Sequence, residues 1–165
     1  MSPGAIPLAR TGVLLPFVQF LDDIGAPVER LMERARLSPQ LLERPEALFP
    51  LHQGLMLIAG AADSQGIENL GFLVGQRTGI ADLPDLGQLL SPAMTLRTAL
   101  TLFTRVIGLY NSGEVLTLTC RGDQAVFSHA YRFGHADGRR HGDLFTLMLM
   151  LDVIRLAAGP GWRPP

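Results

Sequence analysis

The stretch TLRTALTLFTRVIGLYNSGEVLTLTCRGDQAVFSHAYRF, Thr95–Phe133, decides the fold, because its hydrophobic period changes part-way along. Leu96, Ala99, Leu100, Phe103, Ile107 and Tyr110 recur at helical spacing, with Arg97, Thr101, Thr104, Arg105 and Gly108 on the other side. Thr95 is placed to cap this helix. Asn111-Ser112-Gly113 is placed to stop it, with Gly113 suited to a left-handed backbone. Beyond it the period is two. Val115–Cys120 and Gln124–Phe133 read as strands joined by a tight Arg121-Gly122-Asp123 turn. On the second strand Ala125, Phe127, His129, Tyr131 and Phe133 share one face, and Val126, Ser128, Ala130 and Arg132 the other.

Upstream, the chain reads as short helices separated by prolines. They span Val13–Ile24 and Val28–Arg36, with Gly25-Ala26-Pro27 between them and Pro27 suited to the first turn of the second. Ser38-Pro39 starts a helical turn at Gln40–Glu43, with Ser38 free to cap. A longer helix is expected at Leu51–Ala62, then a polar break at Asp63–Glu68 and short helices at Leu70–Gly75 and Leu86–Leu90. Ser91-Pro92 breaks the pattern. Downstream, Asp137-Gly138 marks a turn and Asp143–Ala158 a helix apolar almost all round, its clear polar residues being Asp143, Thr146, Asp152 and Arg155. Such a helix is buried on most sides or shared with a partner. The expected fold is α+β and mainly helical, in one domain spanning 1–165. Its small antiparallel sheet, a hairpin at about 115–133, packs against helices 96–110 and 143–158.

Composition narrows the chemistry. All fourteen cationic residues are arginine and the chain has no lysine. A P-loop, a lysine Schiff base and a protein-kinase site are therefore excluded. A net charge of −1 argues against a nucleic-acid-binding surface in this domain. With 47% hydrophobic and 18% charged residues the chain can bury a core. Cys120 stands alone, so an intrachain disulfide and a thiolate-rich metal site are ruled out. Arg10 followed by Gly12–Leu21 mimics a signal peptide, but Pro16 and Gln19 interrupt the run and Asp22-Asp23 follow. No stretch reaches the roughly 18–20 apolar residues of a membrane span. The cytoplasm is the expected location.

Catalytic motifs are thin. There is no G-x-S-x-G elbow, and Cys120 reads as an inert, buried cysteine. His135-x-Asp137 and His141-x-Asp143 match no metal signature and read as solvated loop residues, as does Arg139-Arg140 between them. Gly71, Gly75, Gly79 and Gly87 do not form a dinucleotide fingerprint and are better explained by close packing. No cofactor, metal or catalytic residue is expected. His129 is different, because a ring nitrogen on an apolar strand face needs a partner. It is either a core histidine bonded to backbone or a polar anchor in an apolar ligand pocket. The candidate ligand-binding set is His129, Tyr110, Phe127, Tyr131, Phe103 and Arg132. Met148, Met150, Leu151 and Ile154 are candidates for a dimer or domain interface, with core packing as the alternative.

A wider pattern then emerges. Leu70-Gly71-Phe72 with Gly75, Leu86-Gly87, Ser91-Pro92, Thr95–Leu100 and Asn111-Ser112-Gly113 follow one another at characteristic intervals. With the Pro50-Leu51 helix start and Trp162-x-Pro164, this order resembles the N-terminal, arabinose-binding-type domain of AraC/XylS-type bacterial transcription regulators, from about Val13 to Pro164. Thr98 departs from the acidic residue common there. The resemblance implies an effector-sensing and often dimer-forming domain. In such regulators a pair of DNA-binding helix-turn-helix motifs follows, so the domain is expected to be truncated at Pro165, with DNA reached only through a part absent from this chain. A small, largely apolar effector is expected, since sugar sites favour several polar groups and the inferred pocket has few. The alternatives are a purely structural homodimerisation module built on the Asp143–Ala158 helix, and a small enzyme. No membrane partner is expected.

Overall fold

The computed structural model describes residues 5–83, 86–90, 95–122 and 124–164. Among them the chain forms seven α-helices and two two-stranded antiparallel sheets, the expected α+β class. The expected break at Ser91-Pro92, the Asp123 corner of the hairpin and the terminal Pro165 lie outside the described residues.

The helix–hairpin stretch folds as its periods dictate. α6 spans Leu96–Tyr110, and the Thr95 hydroxyl accepts the Thr98 backbone N–H at 3.2 Å. It buries Ala99, Leu100, Phe103, Val106, Ile107 and Tyr110. Then β3 (Glu114–Arg121) pairs with β4 (Gln124–Tyr131), opposing Glu114 to Tyr131, Leu116 to His129 and Leu118 to Phe127. The hairpin thus begins one residue earlier than expected and its second strand ends two earlier. Gly113 has no left-handed backbone. A side chain there would collide with Leu51 and Phe133, so close packing explains the glycine.

The N-terminal part departs further. A 3-10 turn at Thr11–Val13 precedes α1 (Leu15–Asp23), and α2 spans Val28–Arg34. Pro27 stands at the N-cap of α2, one place before the first turn. The turn behind Ser38 is 3-10, and the Ser38 hydroxyl bonds the Gln40 side chain without capping the backbone. α3 runs from Leu51 to Gln65, through half of the expected polar break, because Asp63, Ser64 and Gln65 lie on exposed or half-buried turns that cost a helix little. Left-handed Gly66 stops it.

A second sheet has no counterpart in the sequence patterns. β1 (Leu8–Arg10) pairs with β2 (Leu48–Pro50), and Ala9 also bridges Asn111. Ser112 reinforces this join, its N–H donating to the Leu8 carbonyl at 2.9 Å. The start of the chain is therefore sewn to the junction between α6 and β3.

α4 (Leu70–Arg77), the short α5 (Leu86–Leu89) and α7 (Arg139–Ala158) complete the fold. α7 begins four residues before the expected start, so Arg139-Arg140 and His141 belong to its first turn and not to a loop. α4 and α7 touch along their backbones. A Cβ on Gly71 would run into the His141 carbonyl, and one on Gly75 would lie 2.6 Å from the Met148 Cβ. Phe17 of α1 meets Phe145 of α7 with ring centroids 4.8 Å apart. One apolar core results, holding Leu21, Met32, Leu57, Leu70, Phe103 and Val153 almost wholly away from water.

Candidate functional site: a buried carboxylate at the end of an apolar cavity

At the meeting point of nearly all these elements lies a cavity of about 50 Å³. Its wall is mainly apolar, with Leu14, Phe17, Leu55, Ile58, Phe145 and Leu149 among its lining. Polar groups gather at one end: Glu114 from β3, Tyr131 from β4, Thr146 from α7 and Asn111 from the α6–β3 junction.

Glu114 organises that end. Its side chain is 6% exposed, and its Oε1 accepts from the Thr146 hydroxyl at 2.7 Å and faces His129 Nε2 at 3.1 Å. The Tyr131 hydroxyl also bonds it. Burial, then the negative charges of Glu114 and Asp143, hold the Tyr131 phenol far above its ordinary range, so Tyr131 stays a donor. On its far side His129 Nδ1 faces Asp143 Oδ1 at 3.2 Å, and Asp143 in turn meets Arg139 at 3.7 Å. A chain of polar contacts thus runs from the cavity through Glu114, His129 and Asp143 to Arg139, which also lies 5.6 Å from the Tyr131 ring centroid.

Local sequence explains the arrangement. The strand period puts Glu114 opposite Tyr131 and diagonal to His129. Asp143 and Thr146 are three residues apart on α7 and so share a face. Gly142 has no side chain where the Tyr131 hydroxyl sits, and a Cβ there would strike it.

The candidates sort themselves by strand face. His129, Tyr131 and Tyr110 come to the cavity region, and Tyr110 and Tyr131 line it. His129 bonds carboxyl groups, not backbone, as neither sequence reading required. Phe127 shares its face with them but lies farther along, its ring 6.3 Å from fully buried Phe103. Those two lie away from the cavity lining, and Arg132 is exposed on the opposite face. Met150 is buried, and Met148 packs on Gly75. Half-buried Leu151 and Ile154 join Leu96, Leu118, Phe127 and Trp162 in lining an apolar surface groove. Cys120 is exposed, contrary to the buried reading. The sequence reading missed Glu114 as a site residue and gave Thr146 and Asp143 no role. The available signals were an acid opening an apolar strand and a lone hydroxyl on an apolar helix.

Among the described residues no group of three or more His, Cys, Asp or Glu could hold a metal ion. No helix among them is long and apolar enough to cross a membrane. Over residues 25–165 the chain matches the family model described as the arabinose-binding domain of AraC transcription regulators, N-terminal. The chain belongs to this family. No curated protein matches it. The arabinose-binding-domain family is a regulatory, ligand-binding one concerned with transcription, and it is not a known enzyme family.

Proposed function

We propose that this domain senses a small, largely apolar effector, held in the central cavity with its polar group at the Glu114–Tyr131–Thr146 end. His129 would hold Glu114 in place, and Tyr110 would flank the ligand. Phe103, Phe127 and Arg132 have a weaker claim, since they lie off the cavity wall. The observation that carries the reading is the buried Glu114 side chain on an apolar cavity, because a buried acid is costly and its retention suits binding. Arabinose, the ligand in the family's name, presents hydroxyls on every side, whereas this wall is polar at one end only. In the whole regulator the bound state would bias a DNA-binding helix-turn-helix part outside this chain, in a cytoplasmic homodimer, by favouring one arrangement of domains.

Thermal-shift screening of a small-molecule panel that includes arabinose tests this. An effector at about a hundredfold its dissociation constant stabilises the fold by about 2.7 kcal/mol. That stabilisation should vanish in Ile58→Phe, which fills the cavity, in a variant shown by circular dichroism to be folded. A panel-wide absence of shifts would sink the reading.

A second reading, a structural homodimerisation module, is favoured by the apolar groove. Leu147, 46% exposed, and Leu96, 37% exposed, stand there with Leu151 and Ile154. A melting temperature that falls on dilution, with no response to any ligand, would support it.

A further inference from the structure

The geometry points to an elongated ligand site, made of the central cavity and a cleft outside it, that takes a slender amphiphile whose buried head donates a hydrogen bond to Glu114. This rests on the sensor reading and specifies its ligand as an alcohol or an ammonium on an apolar chain.

Size comes first. The cavity of about 50 Å³ holds a few waters at roughly 10–15 Å³ each, whereas small-molecule pockets run to roughly 300–1,000 Å³. A cleft of about 230 Å³ lies beside it, with Arg10, Pro45 and exposed Glu46 among its lining. Val13, Leu83 and Tyr110 line both spaces, so these three side chains are the partition. Leu83 stands between one 3-10 turn, Ile80–Asp82, and the four-residue α5. Elements this short have few hydrogen bonds to break when a side chain swings aside. With the partition open, the joined space of the two approaches the lower bound for a ligand pocket.

Chemistry sets the head group. A carboxylate offers about four acceptor positions, and the Thr146 and Tyr131 hydroxyls and His129 Nε2 are the groups that reach Glu114 among the described residues. One further donor completes the set. No arginine lines the inner cavity, so a carboxylate head would be buried against Glu114 with no opposing charge beside it. A hydroxyl or ammonium meets the acceptor directly, and the ammonium gains from charge as well. The apolar tail then passes between Val13, Leu83 and Tyr110 toward the outer mouth.

n-Hexylammonium, n-hexanol and hexanoate share one tail and differ in the head, so their binding to the full chain, by calorimetry and melting shift, is the test. Hexylammonium and hexanol should bind, each at least about tenfold tighter than hexanoate. Glu114→Gln should erase the advantage of ammonium over alcohol, and Leu83→Trp should weaken both donors without changing their order. The order of the three heads on the unaltered protein stands even if a variant fails to fold. Hexanoate binding as tightly as the donors would overturn the proposal, and loss of that binding in Leu83→Trp would leave the sensor reading intact. Binding by none of the three would overturn the amphiphile class, while the sensor reading falls only with the broader panel. Donor binding unchanged by Glu114→Gln and Leu83→Trp would place the ligand elsewhere and overturn the proposal.

Discussion

The hydroxyl of Tyr131 fills the space that a side chain at Gly142 would occupy. The two residues come from different elements, β4 and α7, and the contact fixes how closely the hairpin approaches the helix. Gly142→Ala is expected to push the phenol off Glu114 and to destabilise the domain by about 1–3 kcal/mol, the usual cost of overpacking. Urea denaturation measures it. An unchanged midpoint would mean that the hairpin and α7 can separate without strain.

His129 and Glu114 form a buried pair, with side chains 4% and 6% exposed. Removing one partner takes a buried hydrogen bond from the other, so His129→Phe should cost about 1–3 kcal/mol. Replacing both, in His129→Phe with Glu114→Leu, should cost less than the sum of the two single losses, because each single variant already forfeits the shared contact, although the Thr146 and Tyr131 hydroxyls then lose their acceptor. The double-mutant cycle reads the coupling. Additive losses would show that the two side chains do not depend on each other.

Tyr131 makes the domain sensitive to alkali. Burial and the adjacent acids raise its folded pKa far above the unfolded value of about 10. The folded state therefore keeps a proton that the unfolded chain releases, and stability falls as pH rises beyond about 10. In Tyr131→Phe that decline should be shallower, although the variant starts less stable at neutral pH for want of a donor to Glu114. Melting temperatures of both proteins from neutral pH to about pH 11 decide the matter.

His141 acts on the acid side. Its Nδ1 is buried without a hydrogen-bond partner among the described residues, and burial, aided by Arg140, lowers its pKa against a weaker opposing pull from Asp63. Below the ordinary value of 6.5 the unfolded chain binds protons that the folded one resists. Stability should thus be full above that pH and decline as pH falls through the folded pKa. His141→Asn is expected to flatten this decline between about pH 7 and pH 5. Parallel curves for the two proteins would rule the residue out as the source.

The long elements were legible because their patterns are long. α6 spans fifteen residues with a single apolar stripe, and the hairpin strands span eight each, enough for a period to declare itself. β1 and β2 have three residues apiece and pair across some forty positions, so no local pattern announces them. The same reason hid half the site. Alternation along β4 brought out His129 and Tyr131, but the partner that gives them meaning, Glu114, is chosen by the register of another strand. Phe103 and Arg132 are candidates beside them in sequence terms, and three-dimensional placement separates both from the cavity wall. The early start of α7 escaped notice because Gly138, its N-cap, takes a left-handed backbone there, and Gly142 interrupts the first apolar turn.

α7 is twenty residues long, about 30 Å at the helical rise. Thr146, in the first half of the helix, holds Glu114, and Arg155 near its C-terminal end donates to the Trp162 carbonyl at 3.2 Å. The nine-residue span between them joins the polar end of the cavity to the Trp162 segment. A tilt of about 5° at the Thr146 end carries the Arg155 end about 1 Å sideways over that length. Gly71, with no room for a side chain against the His141 carbonyl, holds the first turn of the same helix hard against α4.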